Sequence, residues 1–178
     1  MTRLIPALLT LPLLLAGCDT TSAQEEAPET SFAVSGTGVH YFTTAVVHSQ
    51  TPTETGMVQR SSDIIRLAGD INGYILYHPT SVIDSEAGAL VNTGTQVFSG
   101  TVKESDPVLL HDDTYRFESD LATGATTGAV RLGPSDDAPA GSGWFVCDLD
   151  VVGTGLTSDG DATVDYTGTC RTAAESEQ

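Results

Sequence analysis

The chain is nearly without positive charge. Lys103 is its only lysine, and the whole sequence carries 7 basic residues against 24 acidic ones, a formal charge of −17. Phosphate-rich surfaces are held by basic patches, so this composition excludes nucleic acid and anionic lipid headgroups as general electrostatic partners. Long apolar runs are also missing. The one candidate, Leu4 to Leu15, is shorter than the about 20 residues of a membrane-spanning helix and is broken by Pro6 and Pro12. No stretch keeps a helical apolar period over three turns, and no fixed-period repeat is present. The common catalytic signatures are absent as well: no G-x-S-x-G elbow, no H-E-x-x-H, no phosphate-binding glycine loop. No cofactor is expected.

What is present begins at the N-terminus. Arg3 precedes the apolar run, which ends in Leu15-Ala16-Gly17-Cys18. A charged start, a short apolar middle and small residues at the end are the layout of a secretory signal. Leu15-Ala16-Gly17-Cys18 resembles the lipobox of bacterial lipoproteins. That resemblance implies cleavage before Cys18, a lipid on its thiol and stable anchoring by two or three acyl chains. Asp19 after it is similar to the inner-membrane retention signal of enterobacterial lipoproteins. The expected location is the bacterial cell envelope, facing the periplasm or the outside, with the membrane as partner through Cys18. Loss of residues 1–17 removes Arg3 alone among the charges, leaving 24 acidic and 6 basic residues, or −18. The acidic surface with one lysine resembles proteins of salt-loving organisms, and an ordinary acidic exported protein fits equally.

Residues 18–31 are polar and acidic and are expected to form a flexible tether. A single domain is expected over 32–171, followed by a loose tail at 172–178. With Cys18 assigned to lipid, Cys147 and Cys170 remain, and an oxidising compartment favours their disulfide. Neither belongs to a C-x-x-C pair, so zinc is not expected.

The domain reads as all-β. Short alternating runs rich in Thr, Val, Gly and Ser are separated by Gly, Asp, Asn and Pro. Strands are expected at Gly38–His48, Leu90–Val102, Leu109–Glu118 and Ala125–Leu132, with two hairpins besides. Asn72-Gly73 is a strong two-residue turn signal. A hairpin centred there pairs Ile71 with Tyr74, Gly69 with Leu76 and Leu67 with His78, and points this mainly apolar face into the core. In the second hairpin the turn is Thr157-Ser158-Asp159-Gly160. Centring it pairs Val151 with Tyr166, Leu149 with Gly168 and Cys147 with Cys170. A one-residue slip would break all three matches. A disulfide between directly opposed positions is geometrically demanding, so a register shifted by two is the alternative. About eight strands suit a single antiparallel β-barrel, with a two-sheet sandwich as the alternative. Closure removes exposed edges, which favours the barrel.

Ala68-Gly69-Asp70-Ile71-Asn72-Gly73-Tyr74, Gln96-Val97-Phe98-Ser99-Gly100-Thr101-Val102 and Gly153-Thr154-Gly155 resemble the glycine rhythm of allene-oxide-cyclase-like and dirigent-like barrels. The resemblance spans roughly residues 32–171. It implies an eight-stranded barrel with a hydrophobic cavity. None of that family's catalytic residues has a counterpart here, so the activity is not carried over.

Candidate site residues follow from the expected inward face. Tyr74, Leu76, His78, Tyr115, Phe117 and Tyr166 are expected to line the cavity and contact a small apolar ligand. His78, at a strand end beside tyrosines, is the candidate acid/base, against the plainer reading of a rim histidine bonded to backbone or water. His40 and His48 fall on one expected strand at even spacing and share a face. His111-Asp112-Asp113 is read as a solvated turn leading into a strand, with a cation site as the alternative. Asp159-Gly160-Asp161 is read as a hairpin turn, since the further ligands of a calcium loop are missing. Asp148, Asp150 and Asp165 form a carboxylate patch read as a solvated outer face. Three functions follow. The leading one is a lipid-anchored barrel that binds a small apolar molecule or serves a non-enzymatic envelope role. The others are a cyclase or isomerase acting in the cavity, and a structural or interaction module with a filled core.

Overall fold

A computed structural model describes residues 30–135 and 145–172. Cys18, the expected leader and the expected tether up to residue 29 lie outside the described residues, as do Gly141-Ser142-Gly143 and the expected tail from 173. Nine strands form one sheet: β1 (Ser31–His40), β2 (Val46–Pro52), β3 (Gly56–Gly69), β4 (Ile71–Asp84), β5 (Ala89–Val102), β6 (Val108–Asp120), β7 (Thr126–Leu132), β8 (Phe145–Leu156) and β9 (Ala162–Thr172). A single 3-10 turn, Phe42–Thr44, separates β1 from β2.

All pairings are antiparallel, and neighbours from β3 to β9 are joined in chain order. β1 pairs with β9 along its whole length and with β3 through Gly36↔Gly69 to His40↔Ile65. That second pairing closes eight strands into a barrel and disposes of the sandwich. β2 stands outside the ring and pairs with β3 alone, beyond the point where β1 ends. The expected strand over Gly38–His48 is therefore two strands broken by a turn.

Alternation decides the two faces. Val34, Ile65, Leu67, Ile71, Ile75, Phe98 and Leu149 point inward and are buried. The outward rows carry Thr, Asp, Arg and Glu, as Thr114, Arg116, Glu118, Asp148 and Asp150 do. An eight-stranded ring is narrow enough for such side chains to fill it.

The second hairpin adopts the expected register, with Val151↔Tyr166, Leu149↔Gly168 and Cys147↔Cys170 directly opposed and the cysteines joined at Cα–Cα 4.0 Å. The first hairpin does not. Its pairs are Leu67↔Gly73, Arg66↔Tyr74 and Ile65↔Ile75, so the chain turns at Asp70 and Asn72-Gly73 lies within β4. Tertiary contacts hold this turn. The Tyr166 hydroxyl accepts from the Ile71 N–H at 2.8 Å and donates to the Ile71 carbonyl at 2.9 Å. Asp70 Oδ2 accepts from the Ser35 N–H at 2.8 Å. Gly69 takes φ +119° here, a left-handed value that glycine adopts without a steric cost. Gly36 faces it, and a Cβ on Gly36 would fall 2.3 Å from the Tyr166 hydroxyl. The turn thus depends on β1 and β9 more than on its own sequence.

Candidate functional site

The register at Asp70 reverses the face of β4. Tyr74, Leu76 and His78 lie on the outer wall, with Tyr74 and Leu76 about half exposed. The expectation that these three line the interior is overturned, because the true register differs from the expected one by an odd number of residues. Tyr115 and Tyr166 do point inward and are buried, and Phe117 packs against the core. Tyr166 is occupied by the Ile71 backbone. Burial pushes its phenol up, with the Ile71 bond opposing.

The interior is not uniformly apolar. One cross-strand row runs Asp63↔Tyr77↔Gln96↔Asp113 through β3 to β6. All four are buried. His40, the last residue of β1, reaches in at the closing seam and places Nε2 3.0 Å from Asp63 Oδ2. His40 keeps 20% of its side chain exposed and Asp63 keeps 5%, so the pair runs from the rim to the interior. The His40 ring meets Tyr77 at 5.1 Å, Tyr77 meets Tyr115 at 4.3 Å, and Tyr115 meets Phe117 at 5.7 Å. Gly94 makes room for this run, since a Cβ there would lie 2.5 Å from the Tyr115 hydroxyl.

Among the described residues, Asp63 Oδ1 and both amide atoms of Gln96 are buried without a hydrogen-bond partner, while the Asn92 side chain and the Tyr115 hydroxyl interact with the Tyr77 phenol. Buried polar atoms are normally paired, and each unpaired one costs about 1–3 kcal/mol. The unpaired atoms on the inward faces of β3 and β5 are therefore the most unusual feature of the barrel. Burial drives the Tyr77 phenol well above its usual range, with Tyr115 and Asp63 adding to the rise. Burial likewise raises Tyr115, with Asp63 adding and Tyr77 opposing. Both therefore remain protonated donors at neutral pH. The group offers phenol and amide donors, carboxylate and amide acceptors, and flat aromatic faces.

Asp113 closes the row differently. Its carboxylate accepts from the Phe98 N–H at 3.1 Å and from the Gly133 N–H. Burial pushes its pKa up to about 6, against the lowering effect of those two bonds. The expected solvated turn at His111-Asp112-Asp113 is thus a stretch of β6 whose third residue is interior, reached through a positive φ at Asp112. His40 and His48 do not share a face, because the 3-10 turn and a register shift between Val47 and Ser49 intervene. Asp159-Gly160-Asp161 does form the β8–β9 turn, and Asp161 is buried there, accepting from the Thr43 N–H at 3.1 Å and hydroxyl at 2.6 Å. Asp148, Asp150 and Asp165 are exposed on the outer wall. An open depression of about 480 Å³ runs over β6 to β8. Its charges face one another, Arg131 Nε lying 3.7 Å from Asp148, so it presents less chemistry than the interior. Among the described residues no cluster of three or more His, Cys, Asp or Glu is arranged to hold a metal.

Asp63, Gln96, Asn92 and Tyr77 escaped the sequence reading. Asp63 is in phase with Ile65 and Leu67, and Gln96 with Phe98, so their inward direction was present as parity. Comparison of the chain with family models, curated proteins and solved structures finds no match.

Proposed function

We propose that this chain is a lipid-anchored envelope protein whose barrel binds one small molecule in its polar interior. The observation that carries the reading is the group of unpartnered buried atoms on Asp63 and Gln96, beside the Tyr77–Tyr115 phenol pair. A ligand that supplies the missing donors and acceptors offsets the cost of burying them. The aromatic run from His40 to Phe117 favours a flat, ring-bearing molecule. The ligand class is therefore a small ring compound with polar substituents, rather than a purely apolar one. Export and anchoring rest on the Arg3-to-Cys18 pattern.

A fragment screen by ligand-observed NMR on the tag-free exported form tests this. Ring fragments with a donor and an acceptor are expected to bind, and Gln96→Met to weaken them at least about tenfold, the effect of losing one to two hydrogen bonds. Binding unchanged in Gln96→Met would move the site elsewhere. No binding by any ring fragment would favour the filled-core module.

An acid/base enzyme is the second reading. It is favoured by His40, held by Asp63 at 3.0 Å and partly exposed at the rim. A carboxylate that orients an imidazole is a common acid/base arrangement. Turnover of a bound fragment, lost in His40→Gln while binding persists, would select this reading.

A further inference from the structure

The outer wall carries a second histidine arrangement, independent of the interior. Ser62 on β3 lies between two imidazoles from the strands on either side. His48 Nε2 on β2 is 2.7 Å from its hydroxyl, and His78 Nδ1 on β4 is 2.9 Å from it. Both histidines are exposed to solvent, and Ser62 is partly so. A hydroxyl has one proton, so it donates to one ring and accepts from the other. One ring nitrogen thus already directs a lone pair at the shared point, and a tautomer change of the other ring supplies the second.

From this geometry we propose that His48 and His78 form a surface site for a divalent transition metal. The two nitrogens are no farther apart than the sum of their distances to the hydroxyl. Zinc–nitrogen bonds of about 2.1 Å need the nitrogens about 3.4 Å apart in a tetrahedral site, which small rotations of two exposed rings provide. The Ser62 oxygen stays within reach as a third donor, and water fills the open position. Imidazole suits Zn²⁺, Ni²⁺ and Cu²⁺, with Cu²⁺ bound most tightly.

The backbone is adapted to this convergence. The register of β2 against β3 shifts between Val47 and Ser49, leaving His48 as the extra residue. Bulges re-aim side chains in this way. His78 is held on the same wall by the pairings Tyr77↔Gln96 and His78↔Thr95. The surrounding groups are few. Arg60 lies two positions along β3 on the same face and opposes a cation, while Thr95 is neutral. Affinity therefore rests on the imidazoles. The formal charge of −17 concentrates cations around the whole molecule.

Isothermal titration of tag-free protein with Zn²⁺ and with Cu²⁺ tests the site. One equivalent is expected to bind. His48→Ala and His78→Ala are each expected to lose at least about tenfold in affinity, with His111→Ala unchanged. Electron paramagnetic resonance of the Cu²⁺ form is expected to show two imidazole nitrogens. Equal affinity in the His48→Ala/His78→Ala double variant would assign the metal to surface carboxylates and overturn the site. So would the absence of one-equivalent binding. Circular dichroism of each variant confirms folding, which these exposed positions do not control.

Discussion

A buried amide that bonds to nothing works against the fold, and Gln96 presents both of its amide atoms in that state. Methionine has nearly its shape without the polar atoms. Gln96→Met is therefore expected to raise unfolding stability by about 1–3 kcal/mol in denaturant titrations while weakening ligand binding. A loss of stability would show that Gln96 serves the fold instead. Asp113 makes a second residue-scale prediction. Its pKa is raised from 3.8 to about 6, so the folded state binds the extra proton more readily than the unfolded state. Its contribution to stability is then greatest below about pH 4 and falls as pH rises to about 6, flattening above. The stability difference between wild type and Asp113→Asn is expected to change by about 2 kcal/mol across that window. A difference independent of pH would contradict the buried-carboxylate account. Parity in the sequence held both residues: Gln96 keeps step with Phe98, and Asp113 with Tyr115 and Phe117. Their neighbours across the barrel were not legible, because those depend on how four strands align.

At the scale of elements, the two hairpins show what local sequence can decide. For β8–β9 the cysteine pair, the apolar alternation and the turn agree, and the strands adopt that register. For β3–β4 the Asn72-Gly73 signal competes with contacts from distant strands. Tyr166, 95 residues from Ile71 in sequence, satisfies both of its backbone groups, and Asp70 bonds Ser35. Those contacts exist only in the closed barrel, so no local propensity reveals them. The same error placed Tyr74, Leu76 and His78 inside. Removing the Cys147–Cys170 bond, which closes a sequence separation of 23, is expected to cost about 3 kcal/mol on the chain-entropy estimate. Denaturant midpoints with and without reductant measure it, and equal midpoints would count against a constraining role. Besides the pairing of β2 with β3, the turn that leads into β2 is tethered by the bonds from Thr43 to Asp161. Asp161→Ala is expected to speed hydrogen exchange in Val46–Pro52 with little change in β5. Unaltered exchange in β2 would show that the β3 ladder alone holds it.

The described residues combine an acidic outer surface with a closed ring whose interior is largely apolar but carries a polar group centred on one cross-strand row. Closure was legible from strand number and from the glycine-rich alternation. The polar row was not, because it is shared among β3, β4, β5 and β6 with His40 added from β1 at the seam. A filled structural barrel has no need for unpartnered amide and carboxylate atoms in its middle, whereas a binding protein has. The most direct test is a high-resolution crystal structure of the protein isolated from its own host. The account predicts density for a small ring-bearing molecule within hydrogen-bond distance of Gln96, Tyr115 and Asp63. Density showing those groups bonded only to one another or to ordered water, with no room for a ligand, would contradict it.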